Sequence, residues 1–290
     1  MKRTPVQIGL IQMSMTSDKE TNLQKAIRMT EEAAKKGAKI VILPELFAGP
    51  YFCIVPKDKE ALALAESIPG PISEALSALA KRLQIVLVGG SIYELSEGKR
   101  YNTSCVFGPD GKTIGTYRKS HIPHDPGFYE QDYFGSGNKV IDVFQTPYGN
   151  IAVGICYDQW FPEYARIAAL KGADLIVYPT AIGTTPDAEP ADPEVKEDWE
   201  QMWRSAQVGH SAANNVYVAG VNRVGDEGNT HFFGGSFVSD PFATLLVKAD
   251  DTEQVLMTTI DMSLPKKVQA SWRFLLERRP DLYGDITKPV

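Results

Sequence analysis

The fold is decided by two matching stretches, KGAKIVILP at residues 36–44 and KGADLIVYP at residues 171–179. Each leads from the end of a predicted helix through Gly-Ala into an apolar strand that stops at proline. Glycine at a helix end and apolar residues in a buried strand are common to many connections of this kind. Because the identity extends to Lys-Gly-Ala and to the final proline, we interpret the two stretches as an internal repeat.

Around each stretch, segments with the apolar spacing of strands alternate with segments that have the apolar spacing of helices. The first half predicts strands over 6–13, 38–44 and 85–94, helices over 23–37 and 72–84, and a hairpin over 101–119. The second half predicts strands within 140–158 joined at 147–150, a helix over 162–172 and a strand over 173–182. Two such β-α-β halves facing each other form an α/β fold with strands inside and helices outside.

The composition is that of a soluble globular protein, with 43% hydrophobic and 23% charged residues. A net charge of -6 without a basic run argues against nucleic-acid binding, and no apolar run reaches the ~20 residues that span a bilayer. Cys53, Cys105 and Cys156 form no CxxC pair, so we expect no disulfide framework and a cytoplasmic location. Without metal-ligand spacing or a glycine-rich phosphate loop, the sequence predicts neither a metal nor a cofactor.

Three polar residues follow or end predicted strands. Glu45 comes directly after a buried strand, Lys119 comes at the end of the hairpin, and Cys156 ends an apolar strand. Because strand ends meet at one edge of an open α/β sheet, we expect these side chains to converge there. Taken singly, each has a structural explanation: a packed cysteine, a glutamate paired with a surface lysine, and a lysine in a solvated basic patch.

Together, the three residue types suit hydrolysis of an amide-like bond. A thiolate attacks the carbonyl carbon, a carboxylate moves the protons, and a cation stabilises the oxyanion. A neighbouring lysine also favours the thiolate form of cysteine. From the residues alone, this chemistry and the structural explanations both stay open.

Three blocks of the chain resemble the signature motifs of the nitrilase superfamily: LPELFAGPYFC at 43–53, YRKSHIPHDPGFYEQDYF at 117–134 and GICYDQWFPEYAR at 154–166. More narrowly, the chain resembles the N-carbamoylputrescine amidase branch of that superfamily, also in the YPTAIG and RRPDLY stretches at 178–183 and 278–283. The resemblance implies a four-layer α/β/β/α sandwich of two pseudo-repeated halves.

The resemblance further implies a set of site residues. Its catalytic glutamate, lysine and cysteine fall on Glu45, Lys119 and Cys156, and a second glutamate, which positions the lysine or the substrate, falls on Glu130. The substrate-binding residues expected in addition are Tyr51, Tyr157, Trp160, Thr180 and Ala181. The main-chain N–H of Tyr157 would join Lys119 in the oxyanion hole, and core packing explains Trp160 equally well.

The activity that the resemblance implies is hydrolysis of a linear C–N bond without a cofactor. We expect N-carbamoylputrescine to give putrescine, carbon dioxide and ammonia through a thioester on Cys156, a reaction of polyamine biosynthesis. The cationic amine needs an acidic partner, for which Asp125, Glu130 and the acids of 187–198 are candidates. The alternatives are another carbamoyl or ω-amide substrate, a non-catalytic scaffold with this fold, and a thiol redox protein.

The expected organisation is a single carbon-nitrogen hydrolase domain over 1–262 and a C-terminal arm over 263–290. The arm is expected either in oligomer contacts or folded back on its own domain. Because members of the family usually pair through outer helices, we expect a homodimer or a larger homo-oligomer, with a small-molecule substrate and no membrane partner. The acidic, proline-containing loop 183–197 is expected on the surface, as a lid or a subunit contact.

Overall fold

A computed structural model describes residues 5–138, 141–188 and 197–289 of the chain. The strands are β1 Val6–Gln12, β2 Ile40–Ile42, β3 Val86–Val88, β4 Ile92–Ser96, β5 Lys99–Phe107, β6 Thr113–Arg118, β7 Val143–Thr146, β8 Gly149–Val153, β9 Leu175–Thr180, β10 Gly183–Thr184, β11 Tyr217–Asn222, β12 Val224–Glu227, β13 Thr230–Phe233, β14 Phe237–Ser239, β15 Leu245–Lys248 and β16 Gln254–Ile260. The α-helices are α1 Lys19–Lys35, α2 Pro71–Leu83, α3 Pro162–Leu170, α4 Trp199–Asn214 and α5 Leu264–Ser271. In these ranges, no helix is long and apolar enough to cross a bilayer.

Two mixed sheets form the centre of the molecule. In the first sheet the strand order is β16-β1-β2-β3-β5-β4, with β6 paired to β5, and in the second it is β15-β14-β11-β9-β8-β7. The inner strands β1, β2 and β3 run parallel, as do β8, β9 and β11. Within each sheet, the carboxyl ends of these parallel strands therefore lie along one edge.

The two sheets pack face to face, and helices cover their outer faces. In β2, Ile40 and Ile42 share a core with Ile176 and Val218 of the second sheet, whereas Val41 packs on the side of α1 and α2. This alternation is that of a strand buried on both faces. Helices α3 and α4 pack on the other side of the second sheet, so the predicted four-layer α/β/β/α sandwich is confirmed.

The internal repeat is visible as two matching helix-to-strand connections. After α1, Gly37 has a φ of 101°, and its N–H and that of Ala38 bond back to the last helical turn at 2.9 and 3.0 Å. After α3, Gly172 has a φ of 91°, and its N–H and that of Ala173 do the same at 2.9 and 3.1 Å. Glycine stands at both positions because it adopts positive φ without steric cost.

The predicted continuous strand over 85–94 is wrong, since this stretch forms two strands, β3 and β4. At Gly90 the chain turns with a φ of 58°, and a Cβ atom there would lie 2.1 Å from the carbonyl oxygen of Pro44. The backbone thus passes too close to the preceding loop for any side chain. Beyond this turn, β4 returns as an antiparallel partner of β5, and the predicted hairpin over 101–119 is confirmed as β5 and β6.

Two strands also end earlier than the sequence predicts, at Ile42 and not at Pro44, and at Val153 and not at Cys156. Strand β2 ends at Ile42, so Glu45 lies in the following loop. Strand β8 ends at Val153, so Cys156 does not end a strand but begins the 3-10 helix Cys156–Trp160. Both side chains are therefore held by loops that follow parallel strands.

The remaining two segments are partly described. In the loop 183–197, residues 189–196 lie outside the described residues, and the loop begins as β10, which pairs with β13. In the arm, residues between 278 and 287 line a cavity of about 680 Å³ together with residues of α3 and α4 of the same chain. The arm therefore lies against its own domain.

Candidate active site

Glu45 lies in the loop after β2 and is fully buried. Its main-chain carbonyl and that of Leu46 accept hydrogen bonds from Arg223 Nη2 at 2.9 and 3.0 Å, which fixes the turn. Glu45 Oε1 accepts hydrogen bonds from Asn102 Nδ2 at 2.7 Å and from Lys119 Nζ at 2.9 Å. Because Oε2 has no hydrogen-bond partner among the described residues, this oxygen is free to exchange a proton.

Lys119 directly follows β6, and its ammonium group is shared between two carboxylates. Nζ donates to Glu45 Oε1 at 2.9 Å and to Glu130 Oε1 and Oε2 at 2.8 and 2.6 Å, and all three side chains are fully buried. Burial alone would lower the pKa of Lys119, but the Glu130 and Glu45 carboxylates outweigh it and raise the pKa well above its usual value. The ammonium group is therefore a permanent positive charge in the site.

Glu130 begins the 3-10 helix Glu130–Asp132, and its carboxylate lies between Lys119 and Tyr51. The hydroxyl of Tyr51 donates to Glu130 Oε1 at 2.6 Å. Burial raises the pKa of Glu130 to about 7, with Lys119 opposing the rise and Glu45 adding to it. Glu130 therefore changes its charge near neutral pH, while Lys119 keeps its own.

Cys156 has a φ of 45°, a left-handed conformation that residues other than glycine seldom adopt. Backbone strain of this kind clusters at functional residues. The residue is 6% exposed, and its Sγ lies 3.8 Å from the carbonyl oxygen of Ala181. Burial and then Glu45 raise the pKa of Cys156 well above its usual value, against the lowering effect of Lys119. The expected effect of Lys119, which favours the thiolate, is present, but burial and the Glu45 carboxylate outweigh it, and the thiol therefore needs a base.

The buried carboxylate of Asp158 links two segments: the turn on which the Cys156 thiol lies, and the residues that follow β6. Its Oδ2 accepts hydrogen bonds from Ile155 N at 2.8 Å and Tyr117 Oη at 2.9 Å. Its Oδ1 accepts one from His121 N at 3.1 Å and lies 2.7 Å from His121 Nδ1. The His121 ring stacks on Phe161 with centroids 3.6 Å apart. His121 therefore holds this turn and not the ammonium group of the lysine.

A cavity of about 450 Å³ reaches the thiol. It is lined by Pro123, Asp125, Pro126, Phe128, Glu130, Cys156, Tyr157, Trp160, Ala181, Ile182, Ala188, Glu197, Asp198, Trp199 and Met202. Four of these residues are acidic, and no lysine or arginine lines the cavity in the part of the chain that the structure describes. Aromatic and aliphatic side chains form most of the remaining wall.

The predicted substrate-binding residues divide into two groups. Those that line the cavity are Tyr157, Trp160 and Ala181. Tyr51 and Thr180 are buried and do not belong to the described lining. Tyr51 supports Glu130, and the Thr180 hydroxyl bonds to Tyr178 O at 2.8 Å and Gln159 Oε1 at 3.2 Å. Thr180 differs from its repeat counterpart Glu45 because β9 continues through it.

Sequence reasoning missed three buried polar residues that hold the site: Asn102, Asp158 and Arg223. Asn102 lies in the buried part of β5, and Arg223 directly follows the buried strand β11. Asp158 and Arg223 each come shortly after a buried apolar run, which is a usable signal because buried polar groups need partners. Asn102 has polar neighbours in β5 and carries no such signal.

Comparison with known proteins now identifies the family, since a family model described as carbon-nitrogen hydrolase matches residues 7–269. The chain belongs to the carbon-nitrogen hydrolase family. The matched span contains the buried carboxylate, ammonium and thiol groups described above. This carbon-nitrogen hydrolase is therefore an enzyme that acts on C–N bonds other than peptide bonds.

Individual relatives of this carbon-nitrogen hydrolase are similar over nearly their whole length. An N-carbamoylputrescine amidase of Solanum lycopersicum is 39% identical over 292 residues, with 97% of this chain and 95% of that protein covered. A citrullinase of Francisella tularensis is 35% identical, with 98% of each chain covered. The crystal structure of a carbon-nitrogen hydrolase from Helicobacter pylori has a TM-score of 0.92 at 36% identity, with 98% of this chain and 99% of that chain covered. The predicted nitrilase-like fold is confirmed.

Proposed function

We propose that this enzyme converts N-carbamoylputrescine to putrescine, carbon dioxide and ammonia through a covalent thioester on Cys156. The observation that carries the proposal is the acidic cavity beside the thiol, with Asp125, Glu197 and Asp198 in addition to Glu130. Such a lining attracts a substrate with a cationic end and repels one with a carboxylate. The similarity to an N-carbamoylputrescine amidase supports the same choice.

The first half-reaction forms the thioester. The free Oε2 of Glu45 accepts the thiol proton while the sulfur of Cys156 attacks the carbonyl carbon, so that a C–S bond forms and the carbonyl electrons move to oxygen. The ammonium group of Lys119 and the main-chain N–H of Tyr157 stabilise this oxyanion. When the carbonyl re-forms, the C–N bond breaks, and Glu45 gives its proton to the leaving nitrogen.

The second half-reaction releases the enzyme. Water attacks the thioester carbon while Glu45 accepts one of its protons, and the C–S bond then breaks with return of that proton to sulfur. The carbamate product loses carbon dioxide. In this scheme Glu130 is a positioning residue, because its Oε2 accepts a hydrogen bond from the ammonium group of Lys119 at 2.6 Å.

Two other substrate classes are the rivals. An ω-amide or a carbamoyl amino acid carries a carboxylate, which would face Asp125, Glu197 and Asp198 without a basic partner in the described lining. Citrulline carries both charges, and the similarity to a citrullinase gives it specific support. Its α-carboxylate would also face the acidic side chains of the lining, so citrulline is the second candidate substrate.

A matched substrate series tests the proposal. We expect kcat/KM for N-carbamoylputrescine to exceed that for pentylurea by about tenfold or more, because pentylurea replaces the ammonium group by a methyl group at nearly the same length. Citrulline, N-carbamoyl-β-alanine and an ω-amide complete the series. A higher kcat/KM for pentylurea or for a carboxylate-bearing substrate would overturn the proposed substrate.

The thioester is tested separately by trapping. Hydroxylamine intercepts an acyl or carbamoyl thioester, so turnover in its presence should give an N-hydroxyurea product beside the hydrolysis products. The Cys156→Ala variant should form neither. Hydrolysis by the wild-type enzyme with no trapped product at any hydroxylamine concentration would contradict a covalent intermediate.

A further inference from the structure

We propose that Asp125 is the residue that recognises the terminal ammonium group of the substrate, with the hydroxyl of Tyr157 as the second acceptor. This inference rests on the proposed function, because it requires a substrate with a cationic end. It selects one of the four acidic residues in the cavity lining and gives that residue a role in specificity.

Asp125 stands at the first position of a tight turn. Phe128 N donates to Asp125 O at 2.8 Å, so that residues 125–128 form a closed turn with Pro126 and Gly127 at its centre. Proline followed by glycine is the preferred pair for a type II turn, and Gly127 has the positive φ, 78°, that this turn requires. A Cβ on Gly127 would lie 2.8 Å from Thr185, which shows how closely the turn is packed. Asp125 therefore stands at the start of a preorganised loop.

The other three acidic residues of the cavity lining already accept hydrogen bonds within the protein. Glu130 accepts hydrogen bonds from Lys119 and Tyr51. Glu197 Oε2 accepts one from the indole N–H of Trp199 at 2.9 Å, and Asp198 Oδ1 caps α4 by accepting from Gln201 N at 2.9 Å.

Asp125 is different from these acids, because its carboxylate makes no hydrogen bond or ion pair with any residue in the described ranges. It is exposed and lines the cavity, whereas Cys156 and Glu130 are buried in the same lining. The cavity therefore runs from a buried catalytic end to an exposed end where Asp125 lies. A linear carbamoyl amine has the same polarity, with its reactive carbonyl at one end and its charge at the other.

The phenol of Tyr157 lines the same cavity as Asp125. Tyr157 directly follows the nucleophile, lines the cavity, and has its ring held edge-on by Phe161 at 5.6 Å. Burial and then the Asp125 carboxylate raise the pKa of Tyr157, which indicates that the two side chains interact. An ammonium group donates three hydrogen bonds, and the carboxylate and the phenol oxygen accept two of them. The aromatic wall of Trp160 and Trp199 adds attraction for a cation.

The test is the selectivity ratio, kcat/KM for N-carbamoylputrescine divided by that for pentylurea. Asp125→Asn keeps the shape and removes the charge, so the ratio should fall by about ten- to one-hundredfold, mainly through KM for the cationic substrate. Asp125→Lys should favour 4-ureidobutyrate, which carries a carboxylate in place of the amine. Equal melting temperatures of variants and wild type exclude misfolding as the cause.

The controls separate this inference from the proposed function. Asp226→Asn removes a surface carboxylate outside the cavity lining and should leave the ratio unchanged. If the wild-type enzyme shows no preference for the amine, the proposed substrate and this inference both fail. If the wild type prefers the amine but Asp125→Asn keeps that preference, or if only Asp198→Asn loses it, the substrate stands and the role of Asp125 is refuted.

Discussion

At the scale of single residues, the site is built on one ammonium group shared by two buried carboxylates. Lys119 bonds to Glu45 and to Glu130, and neither carboxylate reaches solvent. Such an arrangement is costly unless every charge has a partner. It leaves a single carboxylate oxygen, Oε2 of Glu45, without a hydrogen bond among the described residues, and we assign proton transfer to this oxygen.

The raised pKa of Glu130 predicts an acid limb in the pH profile. As the pH falls below about 7, Glu130 takes up a proton and holds Lys119 less firmly, so kcat/KM should decrease. Glu130→Gln imitates the protonated form at every pH, and it should lower kcat by about tenfold or more and abolish the limb. The measurement is kcat/KM of both enzymes from about pH 5 to about pH 9. An unchanged limb in Glu130→Gln would assign it to another group.

Substitution of Asp158 is expected to reduce turnover more than substrate binding. Its two oxygens accept from Ile155 N, Tyr117 Oη and His121 N, and asparagine cannot accept at both atoms. With the nucleophile turn less well held, Asp158→Asn should lower kcat by about tenfold while KM changes less than about threefold. Asp110→Asn, at an exposed turn, is the control. A loss confined to KM would argue against a positioning role.

The site residues that could be predicted from the sequence lie in a recognisable local pattern, whereas those that were missed act through contacts between distant segments. Glu45, Lys119 and Cys156 each follow a strand, so local pattern and family resemblance both indicate them. Asn102 and Arg223 contact Glu45 across 57 and 178 residues of chain. Their roles depend on which segments the fold brings together, and local sequence does not encode that.

At the scale of elements, the two copies of the repeat show which structural features local sequence determines. Gly37 and Gly172 end their helices with the same hydrogen bonds, as the shared Lys-Gly-Ala indicates. The break at Gly90 was not predicted, because an apolar run with glycine fits both a continuous strand and a turn. Its cause is the close approach of the Pro44 carbonyl, which is a tertiary contact.

Two glycine-to-alanine substitutions, one just after α3 and one within α4, should have opposite effects on the free energy of unfolding. Gly172→Ala forces alanine to a φ of 91° in open space and should lower the free energy of unfolding by about 1 kcal/mol. Gly209→Ala lies within α4, also in open space, and should raise it by about 0.5–1 kcal/mol. Denaturant or thermal unfolding measures both. Destabilisation by both substitutions, or stabilisation by both, would contradict the role assigned to backbone conformation at these two sites.

At the scale of the whole molecule, the C-terminal arm and the outer helices α3 and α4 form one surface. The arm exposes Leu276, Leu282 and Ile286 by 65–71%. Beside them, burial and the neighbouring Arg278 lower the pKa of Arg166, whose Nη1 is buried without a partner among the described residues. Exposed apolar side chains beside a buried guanidinium nitrogen that has no partner in the described ranges are typical of a surface that another protein covers, and we propose that a second copy of the chain covers this one.

The proposed assembly is tested by sedimentation. The wild type should sediment as a dimer or larger, and Leu282→Asp together with Ile286→Asp should shift it toward the monomer, because both place a charge in the apolar contact. Val55→Asp, at a side chain 55% exposed on another part of the surface, is the control. A monomeric wild type, or equal effects of the control, would refute the proposed contact.

The measurement that tests the central claim most directly is the release of putrescine and ammonia from N-carbamoylputrescine by the wild type and by Cys156→Ala, with Cys105→Ala as the control. Cys105 is a fully buried thiol that packs in the core between the first sheet and the helices α1 and α2, and it does not line the cavity at Cys156. The account predicts release by the wild type and the control and none above background for Cys156→Ala. Turnover that persists in Cys156→Ala would contradict it.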